Sequence, residues 1–222
     1  MDQDKIFINS EGDRWFERNK EALKDFRAGA DLALRLVDFY GLRPRQVVEI
    51  GAANGYRLAT IRQRYGSRVV AVEPSLQALL DGTRRYPRVE FVRGEAAHVP
   101  LQSCFDLIIF DFVLHWIDRK SLLKVLAEAD RLLVDGGYMI IGDFQPVNFL
   151  RVPYHHLADS PVRTFKQNYA DTFLASGLYH PVGLLTGDHS LNTVTGLAGE
   201  RERVGAWLIR KQLLDHYLQV GL

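Results

Sequence analysis

The sequence predicts an α/β fold, a doubly wound and mostly parallel sheet with helices on both faces. Three observations predict it. From Val47 onward, short runs rich in Val and Ile alternate with helix-length amphipathic runs, the pattern of parallel strands covered on both sides. The first run, Val47-Val48-Glu49-Ile50, enters Gly51-Ala52-Ala53-Asn54-Gly55 and then a helix-compatible stretch, Tyr56 to Tyr65. A strand, a tight small-residue loop and a helix start form the junction that cradles a nucleotide-like ligand. The loops at 51–56, 73–75, 94–96 and 111–116 all fall at the carboxyl ends of expected strands, where open α/β sheets bind ligands.

The elements follow in order. Trp15, Phe16, Ala22, Leu23 and Phe26 recur at helical spacing, so residues 10–28 are expected to be helical with Ser10 as N-cap. A second amphipathic helix is expected over 30–40, stopped by Gly41 and Pro44. Strands are expected at 47–50, 69–72, 89–92, 106–110 and 137–142, and helices at 56–65, 75–84, 95–98 and 121–133. Residues 143–190 hold Pro146, Pro153, Pro161 and Pro181 and read as an irregular insertion with one helix near 165–176. A last strand is expected at 204–211 and a closing helix at 212–220. The 222 residues therefore read as one domain. It divides into an N-terminal helical cap (1–46), a cofactor-binding core (47–142), an insertion covering the acceptor site (143–190) and a last strand with C-terminal helix (191–222).

Composition narrows the function. Hydrophobic content of 47% and charged content of 25% are those of an ordinary globular protein. A net charge of +1 gives no electrostatic footprint for nucleic acid. The single cysteine, Cys104, suits a reducing compartment. No apolar run approaches membrane-spanning length, so no membrane partner is expected. Residues 1–5 lack a secretory core, and cytoplasmic residence follows as the expectation. A homodimer is left open.

The loop is not a dinucleotide fingerprint, because Tyr56 stands where that pattern has its third glycine. The spacing Glu49-x-Gly51-x-Ala53-x-Gly55 instead resembles motif I of class I S-adenosylmethionine-dependent methyltransferases, with Ala53 replacing the middle glycine. Glu73 ends the second strand, and its two acceptor oxygens can take hydrogen bonds from both hydroxyls of a ribose. Gly94-Glu95-Ala96 resembles the family's Gly-Asp-Ala turn, with Glu95 in place of Asp. Phe105-Asp106-Leu107-Ile108 and Leu114-His115-Trp116 resemble its fourth strand and following loop, and Gly136-Gly137 its fifth-unit turn. The likeness covers 47–142 and is nearest to small-molecule enzymes of the ubiquinone/menaquinone-biosynthesis type. It implies a seven-stranded Rossmann-like methyltransferase fold with S-adenosyl-L-methionine as cofactor. The cofactor contacts implied are Glu49, Gly51, Ala52, Ala53, Gly55, Glu73, Pro74, Gly94, Glu95, Ala96, Asp111 and Phe112.

Methyl transfer to a hydroxyl needs positioning and a base for the departing proton. His115, just past the fourth strand, is the candidate base; a packed loop histidine is the alternative. His155 and His156 compete from the insertion. No Cys or acid stands at ligand spacing from that pair, so no metal is expected. Asp143 reads equally as a substrate contact or a turn cap, and Trp15 and Phe16 as a lid or as ordinary helix packing. The expected function is methyl transfer to a small polar acceptor, a sugar or other hydroxylated metabolite, with oxygen slightly favoured over carbon or nitrogen. A nicotinamide-dependent oxidoreductase and a non-catalytic cofactor-binding module are the alternatives.

Overall fold

The computed structural model describes residues 2–157, 160–189, 193–196, 199 and 202–214. Five parallel strands occupy its centre: β1 (Gln46–Ile50), β2 (Arg68–Glu73), β3 (Glu90–Arg93), β4 (Phe105–Asp111) and β5 (Leu133–Phe144). Two more follow, β8 (Tyr179–Asp188) and β10 (Arg203–Lys211), with β10 antiparallel to both β5 and β8. The sheet order is β3-β2-β1-β4-β5-β10-β8-β9, where β9 is only the pair Thr193–Val194 at the edge. Chain order reverses between β1 and β4, and a crevice opens outside the carboxyl ends of strands at such a switch.

Alternation along each strand builds two cores. Val48, Ile50, Val70, Val72, Ile108 and Phe110 face one side, under α6 (Leu122–Leu132) and α7 (Ala170–Ala175). Val47, Val69, Ala71, Leu107 and Ile109 face the other, under α3 (Leu32–Phe39) and α4 (Tyr56–Tyr65). Burial on both faces is why these strands read as continuous apolar runs. Each helix starts where local chemistry permits. Asp31 caps α3 through Leu34 N (2.8 Å), and Ser75 caps α5 (Leu76–Arg85) through Ala78 N (3.1 Å). Gly55 and Gly66 bracket α4 in the left-handed conformation.

The N-terminal helix begins earlier than the periodicity indicates. It runs through α1 (Gln3–Ile6), a π-helical turn at Phe7–Glu11 and α2 (Gly12–Lys24). Ser10 is not its N-cap: it lies inside the π turn, its hydroxyl donating back to Ile6 O. Asp2 caps the helix instead, accepting from Asp4 N at 3.2 Å. Residues 95–98 form a turn closed by a Glu95–His98 bridge rather than a helix.

The segment 143–190 is more regular than its prolines suggest. It holds a hairpin of β6 (Leu150–Pro153) and β7 (Arg163–Lys166), the short α7 in place of a helix over 165–176, and β8, a full strand of the main sheet. Proline normally argues against a ladder position. Pro181 is accommodated where the β8–β10 register shifts, opposite Ile209. In the expected closing helix, Gln212, Leu213 and Leu214 are not helical, and the rest lies outside the described residues. No described helix is long and apolar enough to cross a membrane.

Candidate active site

A cavity of about 750 Å³ opens at the switch between β1 and β4. Ten of the twelve expected cofactor contacts line it: Gly51, Ala52, Ala53, Glu73, Pro74, Gly94, Glu95, Ala96, Asp111 and Phe112. Glu49 and Gly55 stand behind that wall. His115, His155, His156 and Trp15 line it too, whereas Phe16 is packed in the core at 3% exposure.

The β1–α4 loop is shaped by two constraints. Gly51 has φ +75°, and a Cβ there would fall 2.3 Å from Val113 Cγ2, so both backbone and packing require glycine. Ala53 has φ +48°, a left-handed state that costs an alanine about 1–2 kcal/mol. Its N–H donates to Glu73 Oε2 at 2.9 Å, which helps to hold that conformation. The substitution of alanine for the usual glycine is thus tolerated by a cross-strand hydrogen bond.

Glu73 Oε1 accepts from Ser75 N at 2.9 Å, so each carboxylate oxygen holds one backbone N–H and keeps a second lone pair. Burial pushes this carboxyl up to about 7, against the pull of the Ser75 and Ala53 N–H groups. Glu73→Ala should therefore do two things. It strands two buried donors, at about 1–3 kcal/mol each, and it removes the acceptor for a ribose. Glu73→Gln separates them: it keeps an acceptor for one N–H, and denaturant unfolding should show a smaller loss than for alanine.

Behind the loop lies a buried charge cluster. Arg57, in the first turn of α4, pairs with Asp31 at 2.8 Å and closely with Glu49 and Asp111. One guanidinium thus serves three carboxylates from α3's N-cap, β1 and β4. Glu49 is pushed up to about 8 by burial, with Arg57 pulling down and Asp111 and Asp31 pushing up. Asp111 is raised to about 7 for the same reason. Gly142 makes room for this arrangement, since a Cβ there would sit 2.1 Å from Asp111 Oδ1. Burial thus keeps Glu49, and in part Asp111, protonated near neutral pH, which brings the cluster close to charge balance with Arg57 and Asp31.

On the other side of Phe112, His115 and Asp143 form a buried dyad. Nδ1 of His115 lies 2.8 Å from Asp143 Oδ1, and the His115 backbone N–H donates to Asp143 Oδ2 at 3.1 Å. Asp143 Oδ1 also accepts from Phe144 N at 2.7 Å. A carboxylate only accepts, so Nδ1 carries the proton and Nε2 keeps the lone pair. Both readings of Asp143 are incomplete: it ties its own turn and orients the histidine. His155 and His156 are exposed at the rim, on a 3-10 turn, with rings 3.9 Å apart. Burial, Arg18 and His155 all hold His156 below the usual imidazole range. Among the described residues no three His, Cys, Asp or Glu side chains converge on a metal position.

The N-terminal helix is strapped across the cavity. Gln3 Nε2 donates to Trp116 O (2.6 Å) and Arg163 O (2.8 Å), and Asp13 Oδ1 accepts from Ser75 Oγ (2.6 Å). The π turn presents Glu11, fully buried, to Arg18 and to the Tyr154 hydroxyl at 2.8 Å. Gln3, Glu11, Asp13, Asp31 and Arg57 are positions around the cavity that sequence reasoning did not single out. Most of their partners lie on other elements, and of the five only Arg57, two residues past Gly55, sits close to a recognisable motif.

Residues 48–141 match the family described as "Methyltransferase domain". The chain is 32% identical over 119 residues to a demethylmenaquinone methyltransferase of Renibacterium salmoninarum, covering 51% of this chain and 48% of that protein. It is 27% identical over 177 residues to a malonyl-[acyl-carrier protein] O-methyltransferase of Halorhodospira halophila, covering 75% and 59%. The matches thus span about half the length of such curated relatives. In fold it resembles the 1,6-didemethyltoxoflavin-N1-methyltransferase of Burkholderia thailandensis, solved with that compound and S-adenosylhomocysteine. The TM-score is 0.70 at 20% identity, over 91% of this chain and 86% of that one. Over residues 48–141 this chain is thus similar to methyltransferase domains, and it shares the fold of the solved methyltransferase.

Proposed function

We propose that the protein binds S-adenosylmethionine and transfers its methyl group to a small-molecule acceptor, at oxygen, with His115 as the base. The cavity at the β1–β4 switch carries this reading, because family-matched cofactor positions and a buried His–Asp dyad line one continuous space. S-adenosylmethionine supplies a methyl group already activated on a sulfonium. Glu73 has lone pairs free to hold a ribose, and the Gly94–Ala96 turn borders the position of the adenine. Asp111, on the cavity wall, offers acceptor oxygens to the ammonium of the methionine end. Asp143 keeps the His115 Nδ1 proton in place, so that Nε2 is the atom that would take the acceptor hydroxyl's proton. The N-terminal helix and the β6–β7 hairpin enclose the acceptor and exclude water. His155 and His156, at the rim, serve as acceptor contacts in this reading.

The reading is tested by ligand-induced stabilisation. S-adenosylmethionine or S-adenosylhomocysteine at a hundredfold excess over Kd should stabilise the protein by about 2.7 kcal/mol, seen as a raised Tm. A rise with NAD and none with either sulfur compound would reject it in favour of the oxidoreductase. Binding without transfer of label to any hydroxylated acceptor would leave the non-catalytic module.

A further inference from the structure

Trp116 Nε1 is a buried donor with no acceptor among the described residues. Such groups are uncommon, because a stranded donor loses the hydrogen bonds it had in water. The indole is also held rigidly. Phe7 stacks on it at 5.1 Å, Tyr154 meets it edge-on at 5.5 Å and the His115 ring lies 4.3 Å away. The direction of its N–H is therefore set before any ligand arrives, and Trp116 lines the cavity beside His115.

The surroundings are aromatic and basic. Phe112 and Phe144 pack at 5.5 Å, and Phe144 reaches the His115 ring at 5.1 Å and His189 at 5.2 Å. Lys166 Nζ stands 3.7 Å from the Phe144 ring centre. Of the acids on this side, Asp4 accepts from Asp118 N and Ser121 Oγ, Asp143 holds His115 Nδ1, and Glu202 lies on the cavity wall 3.8 Å from His189. Burial, with Lys166 and His115 adding to it, holds His189 below the usual imidazole range while Glu202 opposes them.

We infer that the acceptor is a small aromatic hydroxy acid, whose anionic oxygen accepts from Trp116 Nε1 while the hydroxyl beside it faces His115. The inference rests on the methyl-transfer reading and narrows it. Flat rings suit walls of Phe, Trp and His, because offset and edge-on ring contacts add to area burial. Adjacent residues supply the donor and the base, with ring centres 4.3 Å apart, so the two acceptor oxygens must lie close together on one small molecule. A sugar, with no ring face of this kind and no anion, fits less well.

Calorimetric titration of the protein saturated with S-adenosylhomocysteine tests this. The probes are 2-hydroxybenzoate, its saturated counterpart 2-hydroxycyclohexanecarboxylate and the uncharged 2-hydroxybenzamide. The aromatic acid should bind at least about tenfold more tightly than either. Trp116→Phe, which keeps an aromatic ring but removes the N–H together with part of the indole, should weaken 2-hydroxybenzoate by about 10–100-fold and leave S-adenosylhomocysteine affinity as it was. Equal affinity for the three probes overturns the inference, and so does a folded Trp116→Phe that binds 2-hydroxybenzoate as before. The probe comparison stands on the unmodified protein should the variant not fold. Binding of S-adenosylhomocysteine with none of the probes removes this acceptor class and leaves methyl transfer standing. No binding of S-adenosylhomocysteine removes both.

Discussion

His115→Ala is expected to lower turnover by about 10²–10⁴-fold while S-adenosylmethionine affinity stays near normal. The reason is geometric: Asp143 holds Nδ1 at 2.8 Å, so Nε2 of a ring lining the cavity is the atom left to take a proton. Asp143→Asn should act through the same atom. An amide can offer Nδ1 either an acceptor or a donor, so the histidine is no longer confined to one tautomer, and activity falls although His115 is present. Alanine at His155 or His156, at saturating cofactor, should cost less, since both sit at the exposed rim. Near-full activity in His115→Ala, with loss in His155→Ala or His156→Ala, would move the base to the 3-10 turn. Full activity in all three would mean that transfer runs on positioning alone.

Arg57→Met should be the most damaging single substitution for stability, at about 3–5 kcal/mol, because removing one member of a buried ionic cluster leaves uncompensated charge. Here three carboxylates, Asp31, Glu49 and Asp111, lose their common cation. The sign with pH follows from linkage. Glu49 and Asp111 already sit above their unfolded values, at about 8 and about 7. The native state therefore holds more protons than the unfolded chain between about pH 4 and pH 8, and stability declines as pH rises through that window. Without Arg57 nothing opposes burial and the decline steepens. Denaturant unfolding should show the deficit of Arg57→Met smallest near pH 5 and largest near pH 8. A deficit that does not change with pH would mean that packing of the long side chain, and not charge, is what Arg57 contributes.

Several features of this protein were determined by sequence alone. The helix Tyr56–Tyr65 has the limits its pattern predicts, and β1 to β4 lie within a residue or so of expectation. Buried strands, helix stripes and glycine turns leave local signatures of period and composition, and no distant partner is needed to read them. The same holds for the cavity wall. Gly51, Glu73 and Gly94 end strands or follow them directly, and parallel topology brings all such ends to one edge.

Tertiary structure alone decided what surrounds those positions. Asp143 reaches His115 across 28 residues, and Tyr154 reaches Glu11 across 143. Arg57 collects partners from α3, β1 and β4. Proline density disguised β8, which pairs with a strand some twenty residues later in the chain. A buried polar group must find a partner wherever the fold supplies one. No local period encodes that choice, so the glycine loop announced a ligand site, and only the packed chain showed which charges, which histidine and which rings surround it.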